Sequence, residues 1–183
     1  MSSGKATGPD LIPADRLKLL TDPQLRSMAD FLATVFQTAQ TPEQWDHSTA
    51  VGIYQGNRPL TDPSTYRPIT LLNTTYKLFA RLIHIRMAKG LDSKLRPTQF
   101  GFRANRSTSQ PLFALHRLLE MATQKDKALY HIFLDWKKAF DSISHEGLRS
   151  ALVIMGVPPK YVNVVDAIYS DPRFTARTNN ESK

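Results

Sequence analysis

The strongest constraint on the fold is one apolar stripe in the middle of the chain. Leu72, Tyr76, Phe79, Ile83 and Met87 recur at steps of four, three, four and four, which places all five on one side of an α-helix. Asn73 stands where an N-cap belongs, and Gly90 follows Lys89 where a helix running from Asn73 would close. Lys77, Arg81 and His84 recur on the other side. Such a helix must bury one face against further elements of the same chain while its cations face outward. The cationic side suits a phosphate-lined groove, though such a face is more often merely solvated.

The surroundings of that helix carry the charge of the whole protein. Among 183 residues, 24 are Lys or Arg and 16 are Asp or Glu, for a net charge of +8. Residues 55–106 hold ten basic and two acidic side chains, a balance of +8, while the flanking segments balance at −2 and +2. A concentrated basic region points to a polyanion, either nucleic acid or an anionic membrane face. No apolar run approaches the ~18–20 residues needed to cross a bilayer, and Met1-Ser2-Ser3-Gly4-Lys5 leads into no signal-like apolar core. The chain therefore reads as soluble and basic, with no membrane partner. Having no cysteine, it has no thiolate metal site, thiol catalysis or disulfide framework, which fits a reducing compartment. At 41% hydrophobic residues it can build a core within one domain.

The remaining elements follow from periodicity and punctuation. Asp22-Pro23 predicts a helix start, with Leu25, Met28, Leu32, Val35 and Phe36 forming its stripe to about Ala39. Thr41-Pro42 opens a short turn carrying Trp45, and Ala50–Tyr54 reads as a strand. Residues 55–66, rich in Pro, Asp, Gly, Asn and Ser, read as a loop. Gln99–Arg103 reads as irregular. Ser107–Gln124 predicts an amphipathic helix through Leu112, Leu115, Leu118, Leu119 and Ala122. Leu129–Leu134 is of strand type, Ser144 caps a helix ending near Gly156, Pro158-Pro159 opens another, and Phe174–Thr178 closes with a strand. The pattern is α+β, one unit.

The stretch His131–Ser142 is the richest in chemistry. A strand ending at Asp135 would fix the direction of its carboxylate, and hard divalent cations need such fixed oxygen ligands. A lone aspartate also commonly caps the turn after it, and Asp141, between Phe140 and Ser142, reads as a turn or cap residue.

Four segments occur in order: Gly8-Pro9-Asp10; Tyr66-Arg67-Pro68-Ile69-Thr70-Leu71-Leu72-Asn73; Gln99-Phe100-Gly101-Phe102-Arg103 with Arg106-Ser107-Thr108; and Asp135-Trp136-Lys137-Lys138-Ala139-Phe140-Asp141. Together they closely resemble the reverse transcriptase domain of non-LTR (LINE-type) retrotransposons, over roughly residues 4–178. Trp45 and the Ala50–Tyr54 strand also sit where that family places its tryptophan and the strand before its first fingers motif. The resemblance implies fingers and a partial palm of a right-hand polymerase fold, with residues 1–128 mainly fingers and 129–183 the start of the palm.

By that resemblance Asp135 matches the catalytic, metal-binding aspartate of the first palm motif. In the complete domain it works with two Mg²⁺ ions, Mn²⁺ being the alternative, which clamp the attacking and leaving oxygens of nucleotidyl transfer. Phe140 matches the bulky residue beneath the sugar that favours deoxynucleotides, and the backbone of Trp136, Lys137, Lys138 and Ala139 would cup the triphosphate. Arg67 matches the fingers cation on the triphosphate, a task suited to a bidentate guanidinium. Gln99, Gly101 and Arg103 match the segment that grips the template, while Phe100 and Phe102 read as core residues before base-stacking ones, although aromatic rings can stack on bases. The implied partners are an RNA template, a DNA primer and dNTP.

Two departures accompany the resemblance. Gln55 stands where family members commonly carry lysine, and the sequence stops at Lys183, before the family's Gly-Gln-Gly-Pro motif, Asp-Asp pair, remaining palm strands and thumb. With one of three carboxylates, the expectation is a polypeptide that does not polymerise alone. Alternative readings of the same residues are a non-catalytic basic RNA-binding remnant, a degenerate product, or a group II intron maturase-type reverse transcriptase.

Overall fold

The protein was described from a computed structural model covering residues 4–56, 59–136 and 138–177. Its helices are α1 (Asp22–Thr38), α2 (Thr74–Leu91), α3 (Ser109–Gln124), α4 (His145–Ile154) and α5 (Pro159–Ile168), and its strands are β1 (His47–Tyr54), β2 (Tyr66–Leu71) and β3 (Arg173–Arg177). The outcome is the mixed helix and sheet that the sequence predicts.

The α2 stripe is buried as its spacing requires, with Phe79 and Ile83 in the core and Tyr76 and Met87 packed beside them. Leu32 and Val35 of α1 and Val164 of α5 meet it from the other side. Trp45 sits at the centre, its ring 5.3 Å from Phe79, 5.5 Å from Tyr76 and edge-on to Phe31 at 6.1 Å. Its indole N–H donates to the Thr75 hydroxyl at 3.1 Å, so burying the ring strands no donor. Burial among these rings pushes the Tyr76 hydroxyl up to about 12, with the negative fields of Tyr169 and Asp46 adding to it.

A smaller cluster of Leu152, Val157 and Val162 joins α4 to α5. Ser144 caps α4 by accepting the Gly147 N–H at 3.0 Å. At its other end Gly156 adopts φ +67°; its N–H bonds the Val153 carbonyl, and the Val157 N–H bonds that of Leu152. This paired closure needs a left-handed residue, which is why glycine stands there, and Leu152 packs on Val157 across the turn.

The sheet has order β2-β1-β3, β1 running antiparallel to β2 and parallel to β3. Register places Ile53 opposite Arg67, Val51 opposite Ile69 and Thr49 opposite Leu71 on one face, with Arg177 beside Val51 on the parallel edge. The other face carries Tyr54 against Tyr66, their rings 5.6 Å apart, and Phe174.

The N-terminal segment is tied to the start of α2 by a buried polar lock. The Asp10 carboxylate accepts the Thr74 N–H at 2.7 Å, while the Asp10 N–H donates to the Asn73 side-chain oxygen at 3.1 Å. The Asn73 amide donates to the Gln44 carbonyl, and the Thr74 hydroxyl donates to the Ile12 carbonyl at 2.6 Å. Gly8 packs so closely on the Leu72–Asn73 backbone that a Cβ would lie 2.1 Å from the Leu72 carbonyl oxygen.

Several expectations are corrected. Asn73 precedes α2 as expected, but its side chain makes no cap bond; the carboxylate at the helix start comes from Asp10, 64 residues from Thr74. Gly90 does not close α2, which continues to Leu91 and a 3-10 turn at Asp92–Lys94. The cap of α1 is Thr21, whose N–H and hydroxyl both donate to the Gln24 side-chain oxygen at 2.9 and 3.0 Å. Tyr66–Leu71 is a strand beginning inside the expected loop; Pro68 is tolerated because β2 is an edge strand. Leu129–Leu134 forms no strand. A strand exists by pairing, β1 already carries a neighbour on each side, and among the described residues nothing pairs with 129–134. The α3 stripe exists in the helix but buries no residue. Thr178, the expected end of the last strand, lies outside the described residues, as do the N-terminal residues 1–3.

Replacing Asp10 by Ala removes the carboxylate at the start of α2 and is expected to cost about 1–2 kcal/mol of stability. Urea unfolding checks this; an unchanged midpoint would show that the lock carries no stability.

Candidate functional site

Residues implicated by the sequence fall into two places. The first is the face of the sheet that carries Arg67. Between it and α2 lies a groove of about 660 Å³ floored by Val51, Ile53, Ile69 and Leu71 and walled by Lys5, Lys77 and Arg81. Among the described residues no acidic side chain lines it. The Lys77 ammonium donates to the Ala6 carbonyl at 3.5 Å, so the N-terminal segment forms part of the wall. Arg67 is exposed on the same face, one strand position beyond the Ile69–Val51 pair on its side of the pleat. An aliphatic floor rimmed by cations holds the phosphates of a polyanion at the rim and its less polar parts over the floor. Lys5 was not singled out from sequence; nothing in a Ser-Gly-Lys-Ala stretch signals that it lands beside α2.

The second place joins the Gln99–Arg103 loop to the stretch after Asp135. The ring of Phe102 meets that of Phe140 edge-to-face at 6.1 Å. Arg103 is embedded rather than presented: its guanidinium grips the Asp92 carboxylate through two bonds of 2.8 and 3.0 Å. It also donates to the carbonyls of Asp92 and Arg96, each at 3.0 Å, and of Gln99 at 3.3 Å. Only 8% of its side chain is exposed. The guanidinium beside it holds the Asp92 carboxyl below the usual carboxylate range, chiefly through the hydrogen bond, and the arginine is raised in turn. Arg103 therefore shapes the loop. Gln99 is exposed and its amide donates to the Gly101 carbonyl at 3.2 Å; Gly101 is exposed in the turn itself.

Asp135, Trp136, Lys138, Ala139 and Phe140 are all exposed, and Lys138 has φ +50° at the start of a turn closed by the Ser142 N–H on the Lys138 carbonyl at 3.0 Å. Lys137 lies outside the described residues. Phe102, expected in the core, is 95% exposed. Among the described residues no three His, Asp or Glu side chains gather as a metal would require. Asp135 is exposed, and one carboxylate does not by itself make a two-ion site. No described helix is long and apolar enough to cross a membrane.

Comparison with known proteins agrees with the four motifs. Residues 56–183 match the sequence profile of the family described as reverse transcriptase (RNA-dependent DNA polymerase). The chain belongs to the reverse transcriptase family, whose fold is of the polymerase palm-and-fingers type and whose members generally use divalent metals. Its relatives are the polymerases of non-LTR retrotransposons. It is 31% identical over 181 residues to the probable RNA-directed DNA polymerase from transposon X-element, and 29% identical over 178 residues to that from transposon BS, both of Drosophila melanogaster and both covering 96% of this chain. The RNA-directed DNA polymerase from mobile element jockey of the same fly is 30% identical over 93% of the chain. The chain spans about a fifth of the length of these relatives.

The Arg103–Asp92 contact adds stability above the ordinary carboxylate range, near pH 4, and loses it as pH falls through the depressed Asp92 value. Replacing Arg103 by Gln is expected to raise amide hydrogen exchange across residues 96–103 at neutral pH while leaving exchange in α1 and α5 unchanged. Unaltered protection of the loop would mean that the guanidinium does not hold it.

Proposed function

We propose that this chain supplies the fingers and the first part of the palm, residues 1–128 and 129–183, of an RNA-directed DNA polymerase of a non-LTR retroelement. The observation that carries the reading is the family match over residues 56–183, a span that contains Arg67, Gln99–Arg103 and Asp135–Phe140. The RNA template and DNA primer lie against the basic sheet face, with Lys77 and Arg81 on the phosphate backbone. Arg67 takes the triphosphate of the incoming dNTP, and the backbone from Trp136 to Ala139 cups it. Phe140 stands under the deoxyribose, where a ring collides with a ribose 2′-hydroxyl. Gln99 and Gly101 approach the template, the loop being shaped by Arg103. Asp135 contributes one carboxylate, and Mg²⁺ is held where further oxygen ligands join it.

A second reading, a basic RNA-binding module without catalysis, is favoured by the absence, among the described residues, of any cluster of three His, Asp or Glu side chains. Both readings require RNA on the acid-free groove. The 183-residue chain is expected to bind single-stranded RNA with an affinity that falls steeply with salt, and each of Lys77→Ala and Arg81→Ala should flatten the log–log slope by roughly 0.7. In primer extension on an RNA template, dNTP incorporation is expected to equal that of Asp135→Ala. Salt-independent binding contradicts the groove assignment, and incorporation above the Asp135→Ala level contradicts the solitary-carboxylate argument.

A further inference from the structure

Phe102 is placed against the ordinary preference of an aromatic side chain. It is the most exposed large apolar residue among the described residues, at 95%. Its backbone is left-handed, φ +61°, a region that bulky residues rarely occupy. The loop holds it there from both sides: Arg103, the next residue, is fastened to Asp92 and to the Arg96 and Gln99 carbonyls, and the Gln99 amide is fastened to the Gly101 carbonyl. The backbone is thus fixed while the ring is left in water. Phe140, itself 78% exposed, meets the ring edge-on at 6.1 Å and 86°, which supports one edge and leaves the faces open.

The chemistry of the surroundings selects what could cover those faces. The segment that carries Phe102 holds ten cations against two acids, and one of those acids, Asp92, is already paired with Arg103. Arg106 lies over the Phe100 ring, 5.8 Å from its centroid, four residues from Phe102. Lys138 lies two residues before Phe140. A flat apolar surface in a cationic field fits a ligand that combines negative charge with flat π-faces, as single-stranded RNA does. We propose that Phe102, braced by Phe140, is a stacking platform for an unpaired base of single-stranded RNA. The proposal rests on the polymerase reading, which supplies the RNA, and goes beyond it in assigning a base contact to Phe102, for which the sequence favours the core over stacking.

The test is fluorescence anisotropy of a short fluorescein-labelled oligouridylate titrated with the 183-residue chain and with Phe102→Leu and Phe102→Trp, over a range of salt. Leucine keeps the apolar bulk and removes the π-face; tryptophan keeps the face. Stacking on one aromatic ring predicts that Phe102→Leu loses about fivefold or more in affinity, with an unchanged salt slope, while Phe102→Trp binds as well as the unsubstituted chain. A smaller loss for Phe102→Leu, an equal loss for Phe102→Trp, or a flattened slope overturns the platform while leaving the polymerase reading intact. Failure of the unsubstituted chain to bind the probe overturns that reading and the platform with it.

Discussion

The buried bond from the Asp10 carboxylate to the Thr74 amide organises what surrounds it. The first amides of a helix lack partners within the helix, and a negative group there also meets the positive end of the helix dipole. In this chain that group arrives from the N-terminal segment. It brings Gly8 onto the Leu72–Asn73 backbone and Lys5 alongside Lys77. The same residues lead directly from β2 into α2, so the lock fixes the angle between the strand bearing Arg67 and the helix bearing Lys77 and Arg81. The groove exists because those two elements and the N-terminal segment meet.

The parts of this arrangement that depend on local pattern were legible in the sequence. The apolar stripes of α1 and α2, the Ser144 cap and the Gly156 turn are all set by residues within a few positions of one another, and they appear where spacing puts them. What escaped depends on contacts between distant segments. Asp10 could not be read as the cap of a helix 64 residues away. Pro68 disguised β2, since its tolerance depends on lying at a sheet edge. Leu129–Leu134 has every local mark of a strand and no partner to make it one. At the site, Arg67 is exposed beside Ile53 on β2, whereas Arg103 carries a structural task set by Asp92, eleven residues away.

Three apolar surfaces have no cover among the described residues: the stripe of α3, the run from Tyr130 to Trp136, and a groove of about 890 Å³ between α2, α4 and α5 bounded by Phe102 and Ala104. The last of these also carries His84, Lys89, Asp92 and Arg103 on its lining, and the Arg67 face has an aliphatic floor rimmed by cations.

The central claim is that RNA lies on the Arg67 face of the sheet and reaches the Phe102 loop. Photo-cross-linking of thiouridine-substituted single-stranded RNA to the chain, with peptide mapping of the adducts, addresses it directly. Adducts are predicted on peptides carrying Lys77 or Arg81 and on the peptide carrying Phe102. Adducts confined to Tyr54, Tyr66 and Phe174, on the opposite face, would contradict it.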